Sequence, residues 1–380
     1  MNDTLINDRR IASDFRNITF SKFPRAKVKK ELLNCINAGN IESSCHWSVE
    51  LICAGHYNDL WEIILLYMSR YIHMGNPKLP IYVEIRFQSF KTIVGTSTSL
   101  ELELRNNDKI RTLFAELVCI LCYSRKKHAF ESFAIKDIND FDMTHLTRRL
   151  KAPNVNFART TFKDDDPKEL FIAINEFAYN ISKECRDITS ACYWVEWILQ
   201  FEVLCKNKKI GCSCERRGFA NVDDKFQMDT VWMLWDALIN EAKVRSNKGH
   251  LTIVRALLNL YCIKFTPGVK RRRKYLIYSA ISCLTEDVNF ATPLVERKEQ
   301  IYNITSKIDI LYKEAKKNEV TPATDYLFMG VEKSNAEKSM AKLATINILF
   351  LKKYLYIYTF EDLSSHKIWR FISIRTTSRW

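Results

Sequence analysis

The stretch NDLWEIILLYMSRYI, residues 58–72, decides the fold class of this chain. Its large apolar side chains include Trp61, Ile64, Leu65, Met68 and Ile72. The last four lie three, four, seven and eleven residues after Trp61. This spacing puts them on one face of an α-helix, and Asn58 or Asp59 can cap the start of that helix. The stretch therefore predicts an amphipathic helix that buries one face in a core.

The same helical spacing recurs along the chain outside this stretch. The segment 81–90, after the turn at Asn76–Pro80, alternates only in part and fits a strand or a helix, of which the helix is favoured. Further apolar stripes begin near Ile110, Leu170, Trp194, Val231, Ile253, Ile277 and Ile301. Only nine glycines and eight prolines occur in 380 residues, which is few for turn-rich β-proteins and glycine-dependent nucleotide folds. These patterns predict a mainly α fold, a bundle or array of amphipathic helices that can divide into two helical domains.

Changes in composition suggest the domain limits. Residues 1–26 are polar and are interpreted as an N-terminal arm, either mobile or a short docking segment. The apolar stripes fall in two predicted helical domains, residues 27–124 and 167–330. Between them, residues 125–166 form a polar, basic linker region that includes the cluster Arg-Lys-Lys at its start. Residues 331–380 lose the helical period and are predicted to be a C-terminal tail.

The end of the linker region carries a signal for a helix start. Asp164, Asp165 and Asp166 directly precede Pro167. Acidic side chains favour the positive end of a helix, and proline suits its first turn. A capping role is therefore favoured over metal binding for these carboxylates.

The charge balance indicates the kind of partner. The chain has 58 Lys and Arg against 44 Asp and Glu, a formal net charge of +14. Such an excess favours a polyanionic neighbour: nucleic acid, an anionic membrane face or an acidic protein surface. Most of the 12 cysteines lie in apolar stretches without the spacing of a disulfide scaffold, which favours a reducing compartment. The first residues do not form a secretory signal, and no uncharged apolar stretch reaches about 18 residues, so no membrane span is predicted.

The strongest basic run is predicted to bind a polyanion or an acidic protein partner. It follows Pro267 and Gly268 and consists of Lys270, Arg271, Arg272, Arg273 and Lys274. Basic side chains there can neutralise phosphates without reading base sequence. A solvated turn and a nuclear-import-like patch are the alternatives. Reversing the charges of Arg271, Arg272 and Arg273 should leave folding intact, because exposed charges contribute little to stability.

A second basic segment, residues 205–217, combines lysines and arginines with three thiols. Its predicted anion-binding residues are Lys206, Lys208, Lys209, Arg216 and Arg217. Its thiols, Cys205, Cys212 and Cys214, are a weak zinc candidate, and basic neighbours would favour their thiolate forms. The spacing lacks the usual pair of cysteines two residues apart, so incidental thiols are favoured and neither a metal site nor any other cofactor is predicted.

Sequence motifs of common enzymes are missing from the chain. It has no glycine-rich phosphate loop, no H-E-x-x-H and no G-x-S-x-G. His46 or His56 could form an acid–base pair with Glu50 or Glu62, although core or capping roles are favoured. A binding protein is therefore predicted rather than an enzyme, and an enzyme with a less obvious Cys, His and Glu site is the third alternative.

Several segments resemble a conserved protein family of nucleocytoplasmic large DNA viruses. They are WSVELICAG at 47–55, NPKLP at 76–80, NEFAY at 175–179, CYWVEW at 192–197 and TPATDYLF at 321–328. The similarity covers about residues 30–330 and does not extend into the predicted tail. It brings no catalytic residues with it.

The resemblance implies a structural role in the virus particle. In such viruses, basic helical proteins without enzyme motifs often line the inner capsid. The expectation is therefore a minor capsid or internal virion component, present in the host cytoplasm during assembly. Its expected partners are other capsid or virion proteins and, non-specifically, double-stranded DNA. The alternative is a nucleic-acid-binding accessory factor in viral replication or transcription.

Overall fold

All regular elements among the described residues are helical, which confirms the predicted mainly α fold. A computed structural model describes residues 4–96, 101–133, 135, 141 and 146–320. In the first part of the chain the α-helices are α1 Arg25–Ala38, α2 Ile41–Cys53, α3 Tyr57–Tyr67, α4 Leu79–Thr96 and α5 Asp108–Tyr123. The later ones are α6 Phe171–Ile181, α7 Ile188–Asn207, α8 Val231–Val244, α9 Gly249–Tyr261, α10 Pro267–Arg272, α11 Lys274–Thr285, α12 Lys298–Thr305 and α13 Ile308–Lys316. Within this described part, none of the helices has both the length and the apolar character that crossing a bilayer requires.

The stretch 58–72 forms a helix as predicted, but its last turn is not α-helical. Helix α3 ends at Tyr67, and Met68–Ile72 continue as a π-helical turn. The carbonyl oxygens of Arg70 and Tyr71 accept hydrogen bonds from the backbone amides of Phe130 and Lys127, at 3.1 and 2.8 Å. Because these carbonyls bond to a neighbouring segment, the α-helical ladder does not need to continue. The periodic pattern could not predict this turn, because the partner segment lies about 60 residues further along.

Helix α11 lies at the centre of the core. Its residues from Tyr275 to Thr285 are all buried. It packs against α7, α8, α9 and the π-helical turn. A helix surrounded on all sides must be apolar or small around its whole circumference, and α11 meets this requirement with alanine and serine between its large side chains.

Helices of the two predicted domains pack against each other. Helix α4, from the predicted first domain, lies on α9, from the predicted second domain. One compact unit includes the described residues from Arg10 to Lys316. It therefore contains helices of the first predicted domain and those of the second up to Lys316. The described residues of the range 27–124 and residues 167–316 thus belong to one compact unit rather than to two. The predicted tail, residues 331–380, lies outside the described residues.

The predicted N-terminal arm is docked in its described part. Phe15 and Phe20 are fully buried. The carboxylate of Glu50 accepts hydrogen bonds from the Thr19 hydroxyl and the Ser21 amide, at 2.9 and 3.0 Å. His56 donates from Nε2 to the Ile18 carbonyl oxygen at 2.8 Å. Glu50 and His56, considered above as acid–base candidates, therefore anchor this segment.

A second, small unit contains residues 7–9 and the described residues 317–320. The backbone amide of Arg9 donates to the Val320 carbonyl oxygen at 3.1 Å. The Val320 amide in turn donates to the Asp8 carboxylate at 2.9 Å. These bonds join two segments that are far apart in sequence.

Candidate anion-binding surfaces

The basic run at 270–274 lies mostly inside the fold. Lys270 is 3% exposed and its ammonium group binds the carboxylates of Glu202 and Asp229. Arg273 is 6% exposed and bonds to Glu62 Oε1 at 2.5 Å and to the Tyr261 carbonyl oxygen at 3.0 Å. Lys274 pairs with Glu196 at 2.5 Å. These internal ion pairs correct the prediction that all five cations face an external polyanion.

Two of the five side chains of the run turn outward. The run spans the end of α10, the break at Arg273 and the first residue of α11, so its members do not belong to one helix. Arg271 and Arg272, the last two residues of α10, are exposed. The Arg271 guanidinium donates to the Leu199 carbonyl oxygen at 3.2 Å and to Gln200 Oε1 at 3.0 Å, both on α7. In the described part of the chain, neither Arg271 nor Arg272 forms an ion pair.

The second basic segment, residues 205–217, also contains both exposed and buried cations. Lys206, Lys208 and Lys209 are exposed at the C-terminal end of α7, and no carboxylate among the described residues pairs with them. Arg216 pairs with Asp224 at 2.6 Å on the surface. Arg217 is only 1% exposed, which corrects its assignment as an anion-binding residue.

Arg217 uses its donors inside the protein. Its guanidinium bonds to both oxygens of Asp166, at 2.6 and 3.2 Å, and to Asp236 at 3.0 Å. Two carbonyl oxygens, of Thr161 and Glu215, complete the set at 2.8 Å each. Asp166 therefore binds Arg217. The sequence had predicted that the aspartate run caps the next helix, and for Asp166 this prediction is wrong.

The three thiols of this segment are not arranged as a metal site. Cys205 and Cys212 are close enough for a side-chain hydrogen bond, whereas Cys214 donates from Sγ to the Asp229 carbonyl oxygen at 3.2 Å. Across the described ranges, no three His, Cys, Asp or Glu side chains come together as a metal-binding group. Burial raises the pKa of both Cys212 and Cys214 to about 12. The thiols are therefore neutral near pH 7, contrary to the expectation that basic neighbours would favour thiolates.

A cleft that the sequence did not predict lies beside the π-helical turn, and we call it the His73 cleft. Its volume is about 730 Å³. It is lined by His73, by the basic start of the predicted linker region (residues 125–131) and by Phe133. The first turn of α7 contributes Ile188, Thr189 and Cys192, and α11 and the residue after it contribute Tyr278 and Glu286. The cleft thus gathers four segments that are distant in sequence.

His73 has an unusual backbone and an unused acceptor. Its φ and ψ angles are 32° and −117°, which a residue with a side chain rarely adopts. The residue is 4% exposed, and its Nε2 donates to the His128 carbonyl oxygen at 3.0 Å. Burial lowers the pKa of the imidazole, so the ring is neutral near pH 7 and its Nδ1 is an acceptor. Within the described residues this buried Nδ1 has no partner.

These two features are each unfavourable for folding. A disfavoured backbone conformation costs on the order of 1–3 kcal/mol. A buried acceptor without a partner costs about 1–3 kcal/mol. Such costs are found where function requires the arrangement, and π-helical turns are also frequent at functional sites.

Gly75 fixes the approach of the basic segment to the turn after His73. A Cβ atom at this position would overlap the Arg125 backbone carbonyl oxygen. We expect Gly75→Ala to lower the free energy of unfolding by about 1–3 kcal/mol, because two backbone segments would have to separate. Urea unfolding measures this change.

Gly95→Ala is the matched control for this substitution. Gly95 lies in α4, and a Cβ atom there meets no other atom within 4 Å. Alanine is favoured over glycine in a helix by up to about 1 kcal/mol, so this variant should be as stable as the parent or more stable. Equal unfolding midpoints for the two alanine variants would contradict the close approach.

Comparison with known proteins does not assign the chain to a group. No protein-family model, no curated protein and no solved structure matches it.

Proposed function

We propose that this chain is a virion structural protein of a large DNA virus, a minor capsid or internal component that acts by binding rather than catalysis. It would contact acidic capsid surfaces or packaged DNA through one cationic surface. This cationic surface consists of Lys206, Lys208, Lys209, Arg271 and Arg272. The sequence resemblance and the net charge of +14 support the same role.

The observation that carries the proposal is the meeting of two basic segments on one helix. Arg271 bonds to Leu199 and Gln200 in the C-terminal half of α7. Lys206 lies seven residues after Leu199, roughly 10 Å further along the helix axis at 1.5 Å per residue. Charges that are more than 60 residues apart in sequence therefore lie on neighbouring parts of the surface.

Among the residues that the structure describes, these five cations form no ion pairs. Lysines at the end of α7 are compatible with the negative end of the helix dipole, but they have no carboxylate partner in the part of the chain that the structure describes. Exposed, unpaired ammonium and guanidinium groups can each neutralise a phosphate or a carboxylate. Binding of this kind is non-specific, as a packaging or lining role requires.

We expect the triple variant Lys206→Glu, Lys208→Glu, Lys209→Glu to lose duplex DNA binding at low salt. The slope of log affinity against log salt should become shallower by up to about 2.7, because each phosphate contact contributes about 0.9. Folding should not change, since the three side chains are exposed. Fluorescence anisotropy with a labelled duplex at several salt concentrations measures both quantities.

A second triple variant controls for net charge. Lys27→Glu, Lys30→Glu, Lys91→Glu changes the formal charge equally, at exposed positions of α1 and α4. It should retain most of the binding, because those lysines lie on other helices. Equal loss in both variants would show that only total charge matters and would overturn the assignment to this surface.

Incorporation into particles separates the virion role from that of an accessory factor. The proposal expects the tagged parent protein in purified particles at fixed copy number, and a marked reduction for the variant at positions 206, 208 and 209. Absence of the parent from particles, together with intact DNA binding, would favour the accessory factor in replication or transcription. If the variant were packaged normally and bound DNA normally, the cationic surface would have neither role.

A further inference from the structure

The His73 cleft receives the positive end of a long helix. Helix α7 has 20 residues, and Ile188 and Thr189, its first two, line the cleft. The Asp187 side chain accepts a bond from the Ser190 amide at 3.0 Å. In the described structure the amides of Ile188 and Thr189 have no acceptor. Free amides at a helix N-terminus bind anions, above all phosphate groups.

Basic side chains surround the same opening. Arg125 and Lys126 line the cleft and have no ion-pair partner among the described residues. Lys127 pairs with Glu286, so these two charges largely cancel. Glu131 is the remaining carboxylate of the lining. The Asp187 carboxylate at the helix end pairs with Lys151 at 2.6 Å. Arg125 and Lys126 therefore outweigh Glu131 and leave the opening positive.

The interior of the cleft is aromatic. Phe130, Phe133 and Tyr278 form part of its wall. The Phe130 ring is already stacked on the His73 ring at 4.3 Å between centroids. Phe133 makes an edge-to-face contact with Tyr193, with 6.5 Å between the ring centroids. An aromatic wall of this kind can stack on the planar ring of a ligand.

We propose that the His73 cleft binds a nucleotide through its phosphate monoester. The phosphate would lie at the first amides of α7 beside Arg125 and Lys126, and the base would stack on Phe133. The cleft volume of about 730 Å³ suits a nucleotide better than a bare phosphate ion. A free mononucleotide and the phosphorylated end of a strand carry the same chemistry. The site is separate from the cationic surface, and the inference does not depend on it.

Isothermal titration calorimetry with five probes tests the ligand class. The probes are adenosine 5′-monophosphate, adenosine, inorganic phosphate and a short single-stranded oligonucleotide with or without a 5′-phosphate. The proposal expects the mononucleotide to bind at least about tenfold more tightly than adenosine or inorganic phosphate, since charge-assisted bonds and stacking contribute together. Tighter binding of the phosphorylated oligonucleotide than of the mononucleotide would identify strand ends as the source, and the reverse order would identify free nucleotides.

Two variants test the location. Arg125→Ala, Lys126→Ala should weaken mononucleotide binding at least about tenfold, whereas Lys27→Ala, Lys30→Ala on α1 should not. Ile188→Pro removes one helix amide at a position where proline is tolerated, because Asp187 before it is extended. It should weaken binding several-fold, while Ile188→Val, which keeps the amide, should not.

Three results would overturn the proposal. The first is adenosine binding as tightly as the mononucleotide. The second is inorganic phosphate binding as tightly as the mononucleotide. The third is parent-like affinity in both the Arg125→Ala, Lys126→Ala variant and the Ile188→Pro variant while circular dichroism shows that they are folded.

Discussion

Arg273→Glu is expected to lower the free energy of unfolding by about 3–5 kcal/mol, the range for breaking a buried ion pair. The substitution places a second carboxylate beside Glu62, which bonds to the Arg273 guanidinium at 2.5 Å. It also leaves the carbonyl oxygens of Tyr261 and Ile263 without their donor. Natural domains are stable by about 5–15 kcal/mol, so the loss is a large share of the total. Urea unfolding followed by circular dichroism should show a much lower midpoint.

Arg272→Glu makes the same chemical change one residue away and is the control. Arg272 is exposed and has no ion pair in the described structure, so its variant should be within about 0.5 kcal/mol of the parent. Arg273→Met, which removes the charge but fills the space, should be intermediate. If Arg273→Glu were as stable as Arg272→Glu, the internal position of Arg273 would be incorrect. The expectation from sequence that the three arginines can be reversed without loss of folding assumed exposed side chains, whereas Arg273 is buried.

The pattern of apolar residues was sufficient to predict most of the helices, although α1 and α10 lie outside the apolar stripes found in the sequence. Burial on one side imposes a period of 3.6 residues, and that period was visible at 58–72 and even in the ambiguous segment 81–90, which lies within α4. It was not sufficient to predict the π-helical turn at Met68–Ile72, which depends on hydrogen bonds from residues 127 and 130. Contacts of that range leave no mark on local periodicity.

The roles of the charged residues were less predictable for the same reason. Which members of the run 270–274 turn inward depends on Glu62, Glu196 and Glu202, which lie on other helices. Basic runs are usually solvated, so sequence alone favoured exposure.

The His73 cleft left only one sign in the sequence, the basic cluster at 125–127. Its other residues come from the end of the π-helical turn, the start of α7 and the end of α11. Tertiary packing brings these segments together, and the strained backbone of His73 has no signature in the sequence. An isolated histidine in an apolar neighbourhood is consistent with a core role as well as with a site.

The Arg217–Asp166 pair gives the second large prediction. Their side chains are 1% and 0% exposed, and the two groups share a two-point contact. We expect Arg217→Ala to lower the free energy of unfolding by about 3–5 kcal/mol, because the Asp166 carboxylate would remain buried without its counter-charge. The loss should appear as a lower urea midpoint with little change in the slope of the transition.

Arg216, the neighbouring residue, provides the control, because the sequence analysis assigned the same anion-binding role to Arg216 and Arg217. Arg216 pairs with Asp224 at the surface, where the side chains are 54% and 83% exposed, so Arg216→Ala should change stability by no more than about 1 kcal/mol. The double variant Arg217→Met, Asp166→Asn should recover part of the loss, since the fully buried Asp166 charge is removed and only Asp236, 16% exposed, loses its ion pair. Recovery would separate the ion pair from simple loss of packing at Arg217. Equal stability of Arg216→Ala and Arg217→Ala would contradict the division of this segment into a surface charge and an internal one.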